Sequence, residues 1–206
     1  MTDKEHIEEI IKATFDVIGN VYKNQKEGHN VNGNSNSRIV FPKYSNGETR
    51  ISEQELRFIF IEQLNKHCQE DKQWNAYYSI ETPTENKYKF SENKKKIQPR
   101  KDDEGQSAMV DLCIYDEKLK RIALIEFKAL NPDKTAFDKD FCKLQEENVA
   151  LTFFIMIVKS HDNGSIPNIH KKIESKGADT EFYCYDLEKG EDISKKIING
   201  ISTSEK

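Results

Sequence analysis

The sequence predicts an α/β fold in which helices cover a central mixed β-sheet. Strand-like apolar runs alternate along the chain with segments whose apolar residues recur at helical spacing. The most apolar run, residues 151–158, predicts a strand that is buried on both faces. A helical segment separates it from the run at residues 122–130, and this connection predicts that the two strands pair in parallel.

Composition and charge narrow the class of protein. Charged residues make up 33% of the 206 residues, yet the apolar residues are grouped into periodic runs, which indicates a folded chain. The net charge of -4 offers nucleic acid no general attraction, so binding would depend on local basic patches. No apolar stretch approaches the ~20 residues of a membrane span, and no apolar signal segment opens the chain. We therefore expect a cytoplasmic protein without a membrane partner.

Cysteine and histidine spacing predicts neither disulfides nor a zinc site. The four cysteines lie far apart in the sequence without a C-x-x-C pair, which favours reduced thiols, and the five histidines are equally scattered.

The chain divides into three predicted segments. Residues 1–24 have the apolar spacing of an amphipathic helix, which we expect to cover one side of the core; contact with a protein partner or a second copy is the alternative. Residues 25–50 are polar and rich in Gly, Asn and Ser, as in a flexible linker or a long surface loop. Residues 51–206 contain the α/β domain.

The elements of the α/β domain follow in order. A helix begins after Ser52, which can cap it, and runs to about residue 67. Strands and helices are then predicted at the following positions: strands at 74–82, 87–90, 110–115 and 122–130, a helix at 135–148, a strand at 151–158, a helix at 168–176, a strand at 181–187 and a helix at 190–201.

A β-hairpin at residues 110–130 brings charged residues together. If the hairpin is symmetric about Lys118 and Leu119, Asp111 lies opposite Glu126. Side chains alternate along a strand, so Lys128 shares the face of Glu126. Three charged groups then meet at one end of an apolar hairpin.

This convergence predicts a metal site. Two carboxylates about 4 Å apart repel by roughly 4 kcal/mol at an effective dielectric constant near 20, and a divalent cation relieves the repulsion. The oxygen ligands of Asp111 and Glu126 suit Mg²⁺, and Mn²⁺ can replace it. Lys128 could orient or activate a metal-bound water, or stabilise charge on a phosphate. The alternative is an ion pair on a solvated strand face, but this strand is apolar on both faces.

The same residues carry a family resemblance. Asp111, followed after fourteen residues by Glu126-Phe127-Lys128, resembles the D-x(n)-E-x-K signature of the PD-(D/E)XK nucleases, the restriction-endonuclease-like superfamily. The later helix, with Lys139-Asp140 and Lys143-Leu144-Gln145, also resembles members of that group. Val110 stands where the motif is named for proline, although that proline is often absent. The resemblance implies a restriction-endonuclease-like core from about residue 52 to 158.

The resemblance also implies further site residues. A helix before the hairpin often contributes a glutamate; Glu55 resembles that position, and Glu53 competes with it. Equally, Ser52 and Glu55 form a capping box, in which Glu55 binds the backbone of the cap. Some relatives place a glutamine near the metal, which would be Gln145, but an exposed helical glutamine is the alternative.

A basic stretch precedes the hairpin and could contact phosphates, although acidic neighbours at residues 102–104 offset part of its charge and a solvated loop is the alternative. Its basic residues are Lys94, Lys95, Lys96, Arg100 and Lys101.

These features predict a Mg²⁺-dependent nuclease, with DNA a better substrate candidate than RNA. Glu55, Asp111, Glu126 and Lys128 are the predicted catalytic residues. A catalytically inactive nuclease-like module that binds protein or nucleic acid is the main alternative. A hydrolase of nucleotides or small phosphates on the same architecture is a third.

Overall fold

The computed structural model describes residues 1–28, 37–93, 96–100, 104–130, 132–162, 164–174 and 179–200. The described residues form helices and strands in this order: α1 (Asp3–Lys26), α2 (Glu53–Glu70), β1 (Tyr77–Phe90), β2 (Ile97–Arg100), β3 (Gln106–Tyr115), β4 (Arg121–Ala129), α3 (Lys134–Glu146), β5 (Leu151–Val158), α4 (Ser165–Ile173), β6 (Thr180–Asp186), β7 (Glu191–Asp192) and α5 (Ser194–Ile198).

The strands form one mixed sheet in the order β2-β1-β3-β4-β5-β6-β7. Strands β1, β3 and β4 pair antiparallel, whereas β4, β5 and β6 run parallel. The predicted α/β class and the predicted parallel pairing across α3 are confirmed. Sequence interpretation missed the short strands β2 and β7, and the predicted final helix is reduced to α5 because β7 occupies its first part.

Helices cover both faces of the sheet. The helices α1 and α2 pack against one face, where Ile125 and Phe127 of β4 are fully buried. The helices α3, α4 and α5 pack against the other face, where Leu124 of the same strand is fully buried. Strand β4 is therefore central and buried on both faces, as its sequence predicts.

Helix α1 is part of this core. Thr2 and Glu5 form a capping box at its start, and its apolar face is buried against α2 and the sheet. The predicted core-covering role is confirmed, and the helix extends to Lys26. Its apolar face is occupied within the chain, so it is not available to a partner.

The described part of the predicted linker is a packed loop. Phe41 is 1% exposed and its ring meets that of Tyr22 edge to face at 5.6 Å. The Phe41 amide also donates to the Gln25 side chain at 2.9 Å. Residues 37–50 therefore form the predicted surface loop and not a flexible linker. Residues 29–36 lie outside the described ranges.

The β3–β4 hairpin has the predicted register from Leu112 to Ile114, and the register shifts between Ile114 and Tyr115, next to the turn. Leu112 pairs with Ile125, and Cys113 with Leu124, as symmetry about the turn requires. Leu119 makes that turn with a left-handed φ of 58°. Cys68, Cys113, Cys142 and Cys184 form no disulfide bond. Among the described residues, no helix combines the length and apolar character needed to cross a membrane.

Candidate active site

Charged side chains from α2, β3, β4 and α3 meet beside the central strand. We call this group the charged cluster, and its members are Glu53, Arg57, Asp111, Glu126, Lys128, Asp140 and Lys143. Six of them have side chains less than 20% exposed with a partner of opposite charge on another element. The fold thus brings together the three residues of the predicted signature.

Asp111 reaches β4 through its side chain. Its Oδ2 accepts a hydrogen bond from the Phe127 amide at 2.8 Å, just beyond the last paired residues of the β3–β4 ladder. Its Oδ1 lies 3.8 Å from the Arg57 guanidinium. The carboxylate is therefore held beside the backbone of Glu126-Phe127, with one oxygen left outside the hydrogen bond to β4.

A break in the neighbouring strand accompanies this arrangement. The β1–β3 pairing skips Glu81, which adopts a left-handed φ of 48°. Glu81 in turn accepts a hydrogen bond from Arg57 at 2.6 Å. Left-handed residues of this kind are often found next to active sites.

Glu126 is the most deeply buried acid of the cluster. It is 1% exposed, and its Oε1 contacts the Lys143 ammonium in an arrangement that does not meet hydrogen-bond geometry. Burial raises the pKa of Glu126 well above its ordinary value, and Asp140 and Asp111 add to this effect although Lys143 opposes it. Without a bound cation, Glu126 therefore keeps its proton to a higher pH than an exposed glutamate.

Lys128 is held in its charged form. Its ammonium lies 2.7 Å from Asp140 Oδ2 and 3.5 Å from Glu53 Oε2. Although burial opposes it, the Asp140 and Glu126 carboxylates raise the pKa of Lys128 above its ordinary value. Lys128 is thus suited to donate hydrogen bonds or stabilise negative charge, and poorly suited to remove a proton.

Asp140 and Lys143 of α3 join the cluster without having been predicted as site residues. Lys143 is 4% exposed; it donates to the Met109 carbonyl at 2.9 Å and lies 2.8 Å from Asp140 Oδ1. The two residues are three positions apart and therefore share one helix face. That face also carries Phe137, Phe141 and Leu144. Two charged residues on the apolar face of a helix were therefore the sequence feature that could have predicted this part of the site.

The structure separates the two glutamates of α2. Glu55 accepts hydrogen bonds from the Ser52 amide at 3.0 Å and from the Ser52 hydroxyl, which completes the capping box. Its other oxygen lies 3.4 Å from Arg50. Glu53 is the glutamate that approaches Lys128. The geometry therefore favours Glu53 over Glu55 as the contribution of α2 to the site.

The predicted nucleic-acid contacts receive uneven support. Lys94, Lys95 and Lys101 lie outside the described residues. Lys96 is exposed, and Arg100 is paired with Glu104 at 3.0 Å.

Gln145 has an exposed position on α3. It lines a surface cavity with Glu147, Val149 and Thr180. The structure therefore favours the alternative that Gln145 is an exposed helical glutamine.

The comparisons with known proteins assign no family to this chain. Comparison with protein-family models, with curated proteins and with solved structures finds no match to this chain. The case for a functional site therefore depends on the geometry of the charged cluster.

The cluster offers a suitable donor set for a hard cation. Asp111 and Glu126 present carboxylate oxygens, and the buried Glu126 Oε1 makes no hydrogen bond. With every group ionised, four carboxylates face three cationic side chains, which leaves one excess negative charge. A cation at Glu126 would have to displace both the Lys143 ammonium and any proton on Glu126.

Glu126→Gln tests the protonation of this buried acid. The folded-state pKa of Glu126 is raised, so the folded chain holds the proton more tightly than the unfolded chain. Wild-type stability should then fall relative to the variant as pH rises above the unfolded pKa of about 4.3. We expect the melting temperature of the variant, measured in EDTA, to rise relative to that of wild type as the pH is increased above about 4.5.

Glu117→Gln, in the exposed hairpin turn, is the matched control and should show no such trend. A difference between Glu126→Gln and wild type that stays constant with pH would mean that Lys143 keeps Glu126 ionised throughout.

Proposed function

We propose that this chain is a metal-dependent nuclease that hydrolyses phosphodiester bonds, with DNA preferred over RNA. The observation that carries the proposal is the convergence of Asp111, Glu126 and Lys128 on adjacent strands, with a buried Glu126 oxygen that makes no hydrogen bond. Mg²⁺ would be held by Asp111 and Glu126, and Mn²⁺ could replace it.

The order of elements supports a restriction-endonuclease-like core. A helix, an antiparallel β1-β3-β4 sheet, a crossover helix and a parallel β5 follow one another. This is the order that the D-x(n)-E-x-K resemblance implies. We propose the core on this basis, together with the position of Asp111 and Glu126 on its second and third main strands.

Most residues of the charged cluster have a role in the proposed reaction. When bound, a divalent cation supplies an activated water and neutralises charge on the phosphate. Lys128 stabilises the negative charge that develops on the phosphate, because its ammonium stays protonated. Asp140 and Glu53 position that ammonium from two helices. Lys143 would leave Glu126 free to hold the cation and would keep its own contact with Asp140.

A catalytically inactive nuclease-like module is the second candidate, and one observation favours it. Lys143 already contacts Glu126, and Arg57 faces Asp111, so positive side chains accompany both predicted metal ligands. A cluster of this kind can hold a fold together without metal. Such a module would bind protein or nucleic acid without cleaving it.

Metal binding can be tested through stability. Saturating Mg²⁺ or Mn²⁺ should raise the melting temperature of wild type, since a ligand at a hundred times its dissociation constant adds about 2.7 kcal/mol. Asp111→Asn should remove most of this gain, because it removes a charged ligand while an amide oxygen can still accept from Phe127. Thermal unfolding with and without metal measures the effect.

Glu117→Gln again serves as the control and should respond to metal like wild type. Equal responses in Asp111→Asn and wild type would remove Asp111 from the metal site.

Lys128→Ala separates the enzyme from the binding module. Loss of a single stabilising donor costs ~10²-fold or more in other hydrolytic sites, so cleavage should fall at least that far while folding, metal response and nucleic-acid binding persist. The assay uses circular DNA, linear DNA and RNA, each with Mg²⁺, Mn²⁺ or EDTA. Lys134→Ala, an exposed lysine at the start of α3, is the matched control.

A Lys128→Ala protein that cleaves like wild type would exclude the proposed role of this residue. A wild type that is inert on every substrate would favour the binding module.

The two α2 glutamates provide a paired test. Glu55→Gln should lower stability by about 1 kcal/mol through the capping box and spare cleavage. Glu53→Gln should lower cleavage, because its oxygen positions the Lys128 ammonium, while stability changes little for a side chain that is 42% exposed. Urea unfolding and the same cleavage assay measure both. The reverse pattern would return the catalytic assignment to Glu55.

A further inference from the structure

A second group of potential ligands lies at the other end of α2. His6 Nδ1 of α1 and His67 Nε2 of α2 are 2.9 Å apart, and Asp71 Oδ2 lies 3.9 Å from His6 Nδ1. One ligand atom from each of the three residues falls within 4.8 Å of the others. His67 is fourteen residues after Glu53 along the helix, which corresponds to about 21 Å at 1.5 Å per residue.

The surroundings hold these side chains in place. The His6 ring is 5% exposed and stacks on Trp74 at 4.7 Å between ring centroids. Trp74 is itself fixed by a 2.8 Å hydrogen bond from its indole to Asp3. Asp71 uses its Oδ1 to accept from the Gln73 amide at 3.0 Å, which leaves Oδ2 directed to the imidazoles. Hydrogen bonds and packing around the ligand side chains orient them toward a metal.

We propose that His6, His67 and Asp71 form a binding site for a divalent transition metal, with Zn²⁺ the best match. Two imidazole nitrogens and one carboxylate oxygen are a common three-residue donor set for Zn²⁺, and water completes it. The Asp71 side chain is 37% exposed, which leaves a side open for that water. Magnesium, which prefers oxygen ligands, is a poor match.

The fit requires a small movement. Two nitrogens on one tetrahedral zinc, each about 2.0 Å from it, lie about 3.3 Å apart. The His6 and His67 nitrogens at 2.9 Å must therefore separate by a few tenths of an ångström. His67 lies in the last turn of α2 and is only partly buried, so it can make this adjustment.

A metal here would join α1 to α2. The first turn of α1 and the last turn of α2 would share one ion, while the first turn of α2 carries Glu53 toward Lys128. The site would stabilise the helix that supports the charged cluster without taking part in its chemistry.

Metal titration of the full chain tests the proposal. Protein treated with EDTA and dialysed is titrated with Zn²⁺ by calorimetry, and with Co²⁺ by the visible absorption of the bound ion. The titration buffer contains excess Mg²⁺, which occupies the proposed site of the charged cluster and is a poor match for imidazole ligands. We expect one further equivalent to bind, with affinity at least ~10-fold lower in His67→Gln and in Asp71→Asn. His170→Gln, another partly exposed histidine, is the matched control and should bind like wild type.

Circular dichroism measures whether the variants are folded. If His67→Gln does not fold, the titration of Asp71→Asn tests the proposal. Absence of Zn²⁺ and Co²⁺ binding, or equal binding in wild type and Asp71→Asn, would overturn the proposal and leave only a hydrogen bond between the two imidazoles.

Discussion

The buried Lys143 ammonium is the constraint on which the rest of the site depends. A lysine that is 4% exposed is costly unless its charge is matched, and here a carbonyl of β3 and acids of α3 and β4 surround it. Satisfying this one charge requires that α3 lie directly over β3 and β4. That placement also returns the chain to β5 as a parallel neighbour of β4, and it brings Asp140 against Lys128.

The contacts that stabilise the metal-free cluster also oppose metal binding. With a proton on Glu126, the three remaining carboxylates of the cluster equal its three cationic side chains, and the Glu81 carboxylate beside Arg57 adds one negative charge at its edge. A divalent cation would replace that proton and the ammonium contact of Lys143 at the same time. Metal affinity should therefore depend on pH through Glu126, because the ligand must lose its proton.

Much of this arrangement could be predicted, and the exceptions share a cause. Alternation and a short turn determine the hairpin register, so Asp111, Glu126 and Lys128 are recognisable from local sequence. Asp140 and Lys143 are less apparent, because charges on a helix are usually solvated and only tertiary packing shows that this pair is buried.

Long-range contacts explain the remaining differences. Glu53 and Glu55 both follow the cap of α2, and only the position of Lys128 distinguishes them. His6 and His67 meet across 61 residues, a separation that leaves no local signal. The left-handed conformation of Glu81 also depends on a long-range contact. Glu81 lies 2.6 Å from Arg57, whereas Asp111 lies 3.8 Å from it. Since Glu81 holds the guanidinium, Oδ1 of Asp111 is left free of a close ion pair. The Glu81–Arg57 ion pair offsets part of the roughly 1–2 kcal/mol cost of a left-handed residue.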